Sequence, residues 1–339
     1  MKISDILRQK LSEMPFETPG LGETAWMANI SQDGGAFLEP VSLKVLGRTK
    51  DGISRPRIVR LLDGRKGFWK DSSPFDESDD AEIVIQYLGR RMGIEMAQEY
   101  RIFDKELIKD GLLSLDAARK PGEHFIEMRT LQSKAGREVL EGRFPWEPWM
   151  AQWTELIRHP AFPESGGSEY LCRSDDDCRV ALELPLHVAR ILYGGETRDF
   201  SVFRRQYFKM ILFDLFIGQT DRTTVNYGIL EDAQGSFRLA PLFDNANLRK
   251  PYLPENLFTL NYAAIDRERL LELILRGYAE DAAGIAAAQV REYEENRELF
   301  EKLANTWIDN ENRSLLCRNM ERDIARKKRL LRQKGSVCV

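Results

Sequence analysis

Residues 213–247, FDLFIGQTDRTTVNYGILEDAQGSFRLAPLFDNAN, constrain this chain more than any other stretch. An apolar helix runs into Gly218 and breaks there. Asp221 follows, and Asn226 stands five positions later. A short apolar strand at 227–230, a turn at Gln234-Gly235 and a second strand at 237–242 come next, and the second strand delivers Asp244 to a polar tip. Two hairpin strands that hand a carboxylate or an amide to one end make a site of hard oxygens. Magnesium suits such a site, because it takes one or two protein carboxylates and fills its shell with phosphate oxygens and water. Asp and Asn also punctuate ordinary turns, and either residue alone would be read that way. The ordered set, with apolar strands between, points to chemistry.

The D-x-x-x-x-N spacing followed by an aspartate on a later strand is that of a protein-kinase catalytic loop and its metal-binding partner. In that pattern Asp221 orients or deprotonates an attacking hydroxyl, and Asn226 and Asp244 hold Mg2+ on the nucleotide phosphates.

Upstream, residues 41–47 (VSLKVLG), 57–62 (RIVRLL) and 66–71 (KGFWKD) read as strands, with Asp63-Gly64 as a hairpin signal. The polar loop at 49–55 sits at one end of this sheet, and Gly52 lets its backbone N–H groups approach phosphate oxygens. Lys70 closes the third strand and can reach those phosphates. The next helix, 79–92, places Ile83, Val84, Tyr87, Leu88 and Met92 at helical spacing. Glu82, in its first turn and off that apolar stripe, is positioned to meet the lysine. QEYRIFDKELIKDGLLSLD completes the region as a hairpin turning at Lys-Asp-Gly. Five strands and one helix form a small α+β lobe. Ahead of it, a charged amphipathic segment leads into a Gly-rich stretch up to about residue 40, which reads as a loop or cover. Its glycines do not make a dinucleotide fingerprint, because no strand precedes them and no helix follows.

Beyond residue 118 the pattern is helical: 147–159, 180–192, 202–217, 266–278, 280–293 and a long segment from 296 to about 334. The 202–217 helix is apolar on nearly every side and therefore central. The segment at 160–177, with its run Asp175 to Asp177, reads as a loop with a solvated acidic end.

Composition excludes several classes. With 339 residues the chain suits two lobes, and a net charge of −4 gives no global pull toward nucleic acid or anionic lipid. No run of 18 apolar residues predicts a membrane span, and the amino-terminal segment lacks the apolar core of a signal peptide. Four sparse cysteines fit a reducing compartment, and Cys172 and Cys178 lack zinc-finger spacing. The three histidines fall in different elements and compose neither a Ser-His-Asp nor an HExxH site.

At these residues the chain resembles the HipA-like Ser/Thr kinases, atypical bacterial kinases that include toxin–antitoxin and effector kinases. IGQTDRTTVNYGIL and FRLAPLFDN resemble the family's IGN-x-D-x-H-x-x-N and LAPLYD patterns, GISRPRI its nucleotide loop, and AEIVIQYLGRRMGI its Glu-bearing helix. The resemblance implies an α+β, two-lobed protein-kinase-like fold, with a small β-rich N-lobe (1–117) and a larger, mainly helical C-lobe (118–339). It implies ATP and Mg2+ as cofactors, Asp221 as the catalytic aspartate, Asn226 and Asp244 as metal ligands, and Lys70 with Glu82 at the nucleotide. Gly52, Ser54 and Arg55 match the phosphate loop, which in this family can carry regulatory autophosphorylation. The implied partners are a protein substrate bearing Ser or Thr and a regulatory protein. The implied location is cytoplasmic, or delivery as an effector without a cleaved signal. Thr223 and Gln219 depart from the family's histidine and asparagine, and the founding toxin's extra N-terminal subdomain is not matched. A phosphoinositide-type lipid kinase shares the Asp221-Arg222 loop, and its basic substrate loop is reduced here to Arg249 and Lys250. A pseudokinase or binding scaffold, and an enzyme transferring AMP, are the other readings.

Overall fold

A computed structural model of the chain describes residues 23–49, 56–71, 78–104, 109–118, 122–143, 175–195, 197–246, 248 and 267–333. The chain is α+β and divides into two compact units. Met1–Arg119 and Tyr293–Arg318 make the first, and Lys120–Glu292 and Asn319–Val339 the second. The sequence places a lobe boundary between 117 and 118; the units meet at Arg119 and Lys120, and Tyr293–Arg318 groups with the β-rich unit.

The first unit is a closed antiparallel barrel. Its strands are β1 (Glu23–Ile30), β2 (Ala36–Arg48), β3 (Arg57–Leu61), β4 (Lys66–Asp71), β5 (Glu99–Asp104) and β6 (Lys109–Leu115), in the order β1-β2-β3-β4-β6-β5. Pairing of β1 with β5 closes it and removes the free edges that an open sheet would expose. Alternate residues point inward, and Met27, Leu43, Val59, Leu61, Trp69, Tyr100, Ile102, Leu113 and Leu115 form the core.

The stretch read as a loop or cover contains β1, ETAWMANI, the sixth strand. Its partners are β2, the next strand across a tight turn at 31–35, and β5, which is distant in sequence. The Lys-Asp-Gly turn is not a turn: Lys109, Asp110 and Gly111 lie within β6, paired with Asp104, Phe103 and Ile102. The connection falls at 105–108, outside the described residues. Gly111 is there because a side chain would strike the Trp69 indole nitrogen and the Lys70 carbonyl.

Helix α1 (Ser78–Arg91) joins β4 to β5, with Asp79 and Asp80 in its first turn and Arg90 and Arg91 in its last, as the helix dipole favours. Arg101 of β5 pairs with Asp79 and lies 3.6 Å from Asp80, all three buried. The Gln86 amide accepts from Asn29 (3.1 Å) and donates to the Ala97 carbonyl (2.7 Å).

The second unit begins with β7 (His124–Glu127), a strand in a stretch read as helical; its four residues are too few for a period to show. It pairs with β8 (Gly228–Glu231), which pairs with β9 (Phe237–Leu239). The helices are α2 (Met128–Leu140), α3 (Asp175–Tyr193), α4 (Arg198–Ile217) and α5 (Arg267–Gly277). α6 (Ala279–Trp307), kinked at Asn296, and α7 (Asn310–Gln333) contribute to both units. Asp175 to Asp177, read as a solvated loop, open α3, where the helix dipole favours acidic residues. The amphipathic segment expected at the amino terminus, the helix expected at 147–159, and Arg249 and Lys250 lie outside the described residues. No helix among the described residues is long and apolar enough to cross a membrane.

α4 is central, as its sequence predicts. Phe200, Phe203, Tyr207, Phe208, Phe213 and Phe216 are all fully buried along it. The Thr197 side chain accepts from the Phe200 N–H (3.1 Å) and caps the start. Gly218 ends the helix at φ 83°, a left-handed conformation that suits glycine, and a side chain there would strike Asn319. Lys327 of α7, fully buried, donates to the Leu212 carbonyl of α4 (3.0 Å) and to Gln289 of α6 (2.7 Å), and pairs with Asp323 at 2.5 Å.

Candidate active site

The last turn of α4 carries a carboxylate among phenylalanines. Asp214 is 1% exposed, and burial pushes its pKa up, opposed by the Arg222 guanidinium beside it. Arg222, itself 0% exposed, grips both oxygens of Asp214 through Nε (2.9 Å) and Nη2 (3.0 Å). Nη2 also donates to Asn245 Oδ1 (2.5 Å), and Nη1 donates to the carbonyls of Asn226 (2.9 Å) and Phe243 (2.8 Å). A guanidinium has five N–H donors in a rigid fork, and here all five are used. One side chain thereby fastens the 221–226 loop and the 243–245 segment to the central helix.

A second fastener lies beside it. Gln219 Oε1 accepts from the N–H groups of Thr220 (2.8 Å) and Asp221 (3.1 Å), while Nε2 donates to the Asp244 carbonyl (2.8 Å). The backbones of Asp221 and Asp244 are thus held by one amide. Asn226 donates Nδ2 to the Asp221 carbonyl (2.8 Å), which leaves Oδ1 as the oxygen its amide can offer a metal. Asp244 stands at φ 52°, the one non-glycine residue with positive φ among the described residues, in the left-handed region where aspartate and asparagine are enriched.

The loop is also braced from behind. Helix α2 has no side-chain cap at Glu127; its first two N–H groups, of Met128 and Arg129, donate instead to the carbonyls of Tyr227 and Thr224, both at 3.0 Å. Helix amino termini leave such donors without intrahelical partners, and the 221–227 loop supplies the acceptors.

Asp221, Asn226 and Asp244 are therefore brought together by direct ties. Lys70 and Glu82 belong to the other unit. Lys70 is half-buried on the outer face of β4, in one register row with Leu112 and Arg101. Glu82 is 2% exposed: α1 is buried along its whole length from Asp79 to Gly89, so the glutamate does not sit on an open side of an amphipathic helix. Gly52, Ser54 and Arg55 lie outside the described residues. The neck of their loop is closed by pairing of Arg48 with Arg57 and by the Thr49 N–H bond to the Pro56 carbonyl (3.0 Å).

Sequence reasoning missed Asp214, Asn245 and the fastening roles of Arg222 and Gln219. The signal for Asp214 was present: a carboxylate within FDLFIG must be buried, and a buried charge needs a partner. It also missed an apolar row on the outer face of the barrel. Ile58 and Phe68 face each other across β3 and β4, and Leu46 sits beside them where β2 shifts register. Phe68 is 39% and Leu46 44% exposed. Lys70 lies two residues beyond Phe68 on the same face, toward the end of the sheet where the 49–56 connection leaves it.

The donor set fits a cation of the magnesium type. No three His, Cys, Asp or Glu residues converge among the described residues. The fastened loops instead offer oxygens from one amide and one or two carboxylates, the small protein share that magnesium takes when phosphate completes its shell.

No family model matches the chain, and no curated protein sequence is similar to it. Solved structures do match. The Helicobacter pylori proinflammatory kinase CtkA superposes over 88% of this chain and 98% of its own, with a TM-score of 0.54 at 11% identity. HipA from Shewanella oneidensis, in complex with HipB and operator DNA, covers 100% of this chain and 74% of its own, with a TM-score of 0.44 at 12% identity. The chain thus has a kinase-like fold.

Proposed function

We propose that this chain is an ATP-dependent Ser/Thr protein kinase of the HipA-like type, acting by magnesium-assisted phosphoryl transfer to a protein hydroxyl. The observation that carries the reading is the double fastening of Asp221, Asn226 and Asp244 by Arg222 and Gln219. Phosphoryl transfer asks a protein mainly for positioning and electrostatics, and a loop pair tied by buried hydrogen bonds provides the positioning. In the first unit, the row Leu46, Ile58 and Phe68 offers an apolar seat to the nucleotide base. Lys70, one step along the same face, offers its ammonium to the phosphates, and backbone N–H groups of the 49–55 loop add to it.

Asp221 holds the acceptor hydroxyl in line and takes its proton as the oxygen bonds to the γ-phosphorus and the bond to the bridging β–γ oxygen breaks. Asn226 Oδ1 and the Asp244 carboxylate are the groups that would hold the metal. Magnesium bound there with the nucleotide offsets charge on the phosphate oxygens. The Asp221-Arg222 pair shared with phosphoinositide kinases carries no argument for a lipid substrate, because all five Arg222 donors are taken up within the protein, two on Asp214 and three on the loops.

Intact-mass spectrometry after incubation with ATP and magnesium tests the reading, wild type beside Asp244→Asn. A phosphoryl gain on the chain or on an added Ser/Thr substrate, in wild type only, is expected. An adenylyl gain, or equal gain in both proteins, overturns it.

A further inference from the structure

Lys44, Arg60 and Lys66 stand directly opposite one another across three strands, Lys44 against Arg60 and Arg60 against Lys66. All three are exposed, and no side chain of the three has a hydrogen-bond or ion-pair partner among the described residues. Like charges directly opposite on paired strands repel and weaken the pairing. Two such pairs in one row are therefore not explained by the barrel's own stability. Neighbouring strands lie about 4.8 Å apart, so the three cations form a line roughly 10 Å long across the sheet. Just past β3, at the β3–β4 turn, Leu62 is 82% exposed, with its N–H bonded to the Ser42 carbonyl (3.2 Å).

We propose that this face docks an acidic segment of a partner protein, with its carboxylates on Lys44, Arg60 and Lys66 and an apolar side chain over Leu62. The line crosses the strands on the face of the sheet. A bilayer resting on the hairpin tip at Leu62 would meet Lys66 and leave Lys44, two strands away. A long polyanion also feels the whole chain, whose net charge is −4, whereas a short acidic segment feels the local row within a Debye length of about 8 Å. The proposal does not depend on the phosphotransfer reading.

The test uses the full chain and fluorescence anisotropy with a short labelled peptide rich in glutamate and bearing central leucines. The probes beside it are the same peptide with glutamine for glutamate, a single-stranded oligonucleotide, and phosphatidylcholine–phosphatidylserine vesicles. Binding to the glutamate peptide alone is expected, weakened by salt, about tenfold or more by Arg60→Glu, and a few-fold by Leu62→Ser. Arg60→Glu places a carboxylate between two lysines, so its thermal midpoint should hold or rise, which separates lost docking from lost fold. Peptide binding unchanged in Arg60→Glu, no peptide binding by wild type, or oligonucleotide or vesicle binding in place of the peptide overturns the proposal.

Discussion

The two units hold their candidate residues by different physics. In the barrel, Lys70 is placed by strand alternation over an apolar core: Trp69 points in, so Lys70 points out, and the backbone ladder does the rest. In the helical unit, Asp221 and Asp244 sit on irregular loops, and hydrogen bonds to Arg222 and Gln219 replace the ladder. Apolar packing is non-directional and tolerates swaps that keep volume. A buried guanidinium on a carboxylate and three further oxygens is directional, and it tolerates almost none. The barrel is thus robust where it holds Lys70, and the helical unit brittle where it holds the aspartates.

The largest expected effect comes from breaking the brittle side. Arg222→Met leaves Asp214 buried without its partner, which should cost about 3–5 kcal/mol of stability. Burial already holds the Asp214 pKa above its unfolded value, and removing Arg222 raises it further. Between those two values the folded variant binds a proton that the unfolded chain does not, so its stability rises as pH falls toward the acid range and is lost as pH climbs through the folded pKa. Urea unfolding at neutral and mildly acidic pH should therefore show partial recovery in acid for Arg222→Met, and none once Asp214→Asn is added. Arg222→Lys sharpens the point, because an ammonium cannot reproduce the fork; turnover should fall with it even where the protein remains folded.

Lys327 supplies a control of equal burial. Lys327→Met strands Asp323 and should cost a similar ~3–5 kcal/mol, yet Lys327 ties α7 to α4 and α6 and touches neither loop. Phosphotransfer per folded molecule, measured well below the melting midpoint, should stay at the wild-type level. A fall in kcat matching that of Arg222→Lys would erase the distinction between fastening the helices and fastening the site. On the barrel side, Leu113→Met keeps core volume and should cost less than about 1.5 kcal/mol with kcat and KM for ATP unchanged.

The same contrast decides what was legible in the sequence. Asp221, Asn226, Asp244, the helix that leads to them and the KGFWKD strand are written locally, in spacing and in periodicity. The fastening is not: the acceptors of Arg222 come from residues 214, 226, 243 and 245, and only the folded loops bring them together. β7 was hidden for the related reason that its four residues become a strand only through a distant partner, β8, and β1 because the strand that closes it on its other side, β5, is far away in the sequence. The row Leu46, Ile58 and Phe68 needs the register between three strands, including a shift in β2, before its residues become neighbours.

The smallest effect tests the residue that departs most visibly from the resemblance. Thr223 stands where the family has histidine, which suggests a loosened loop. Its carbonyl accepts the Asn226 N–H (2.9 Å), a bond any residue can make, while its buried hydroxyl finds no partner among the described residues. An unsatisfied buried hydroxyl contributes no fastening, and replacing it by a methyl of the same shape is near neutral or stabilising. Thr223→Val should therefore shift stability by no more than about 1 kcal/mol and leave kcat within a few-fold. A loss of turnover on the scale of Arg222→Lys would mean that this hydroxyl meets substrate or nucleotide, and the loop would then owe its function to a group beyond the two fasteners.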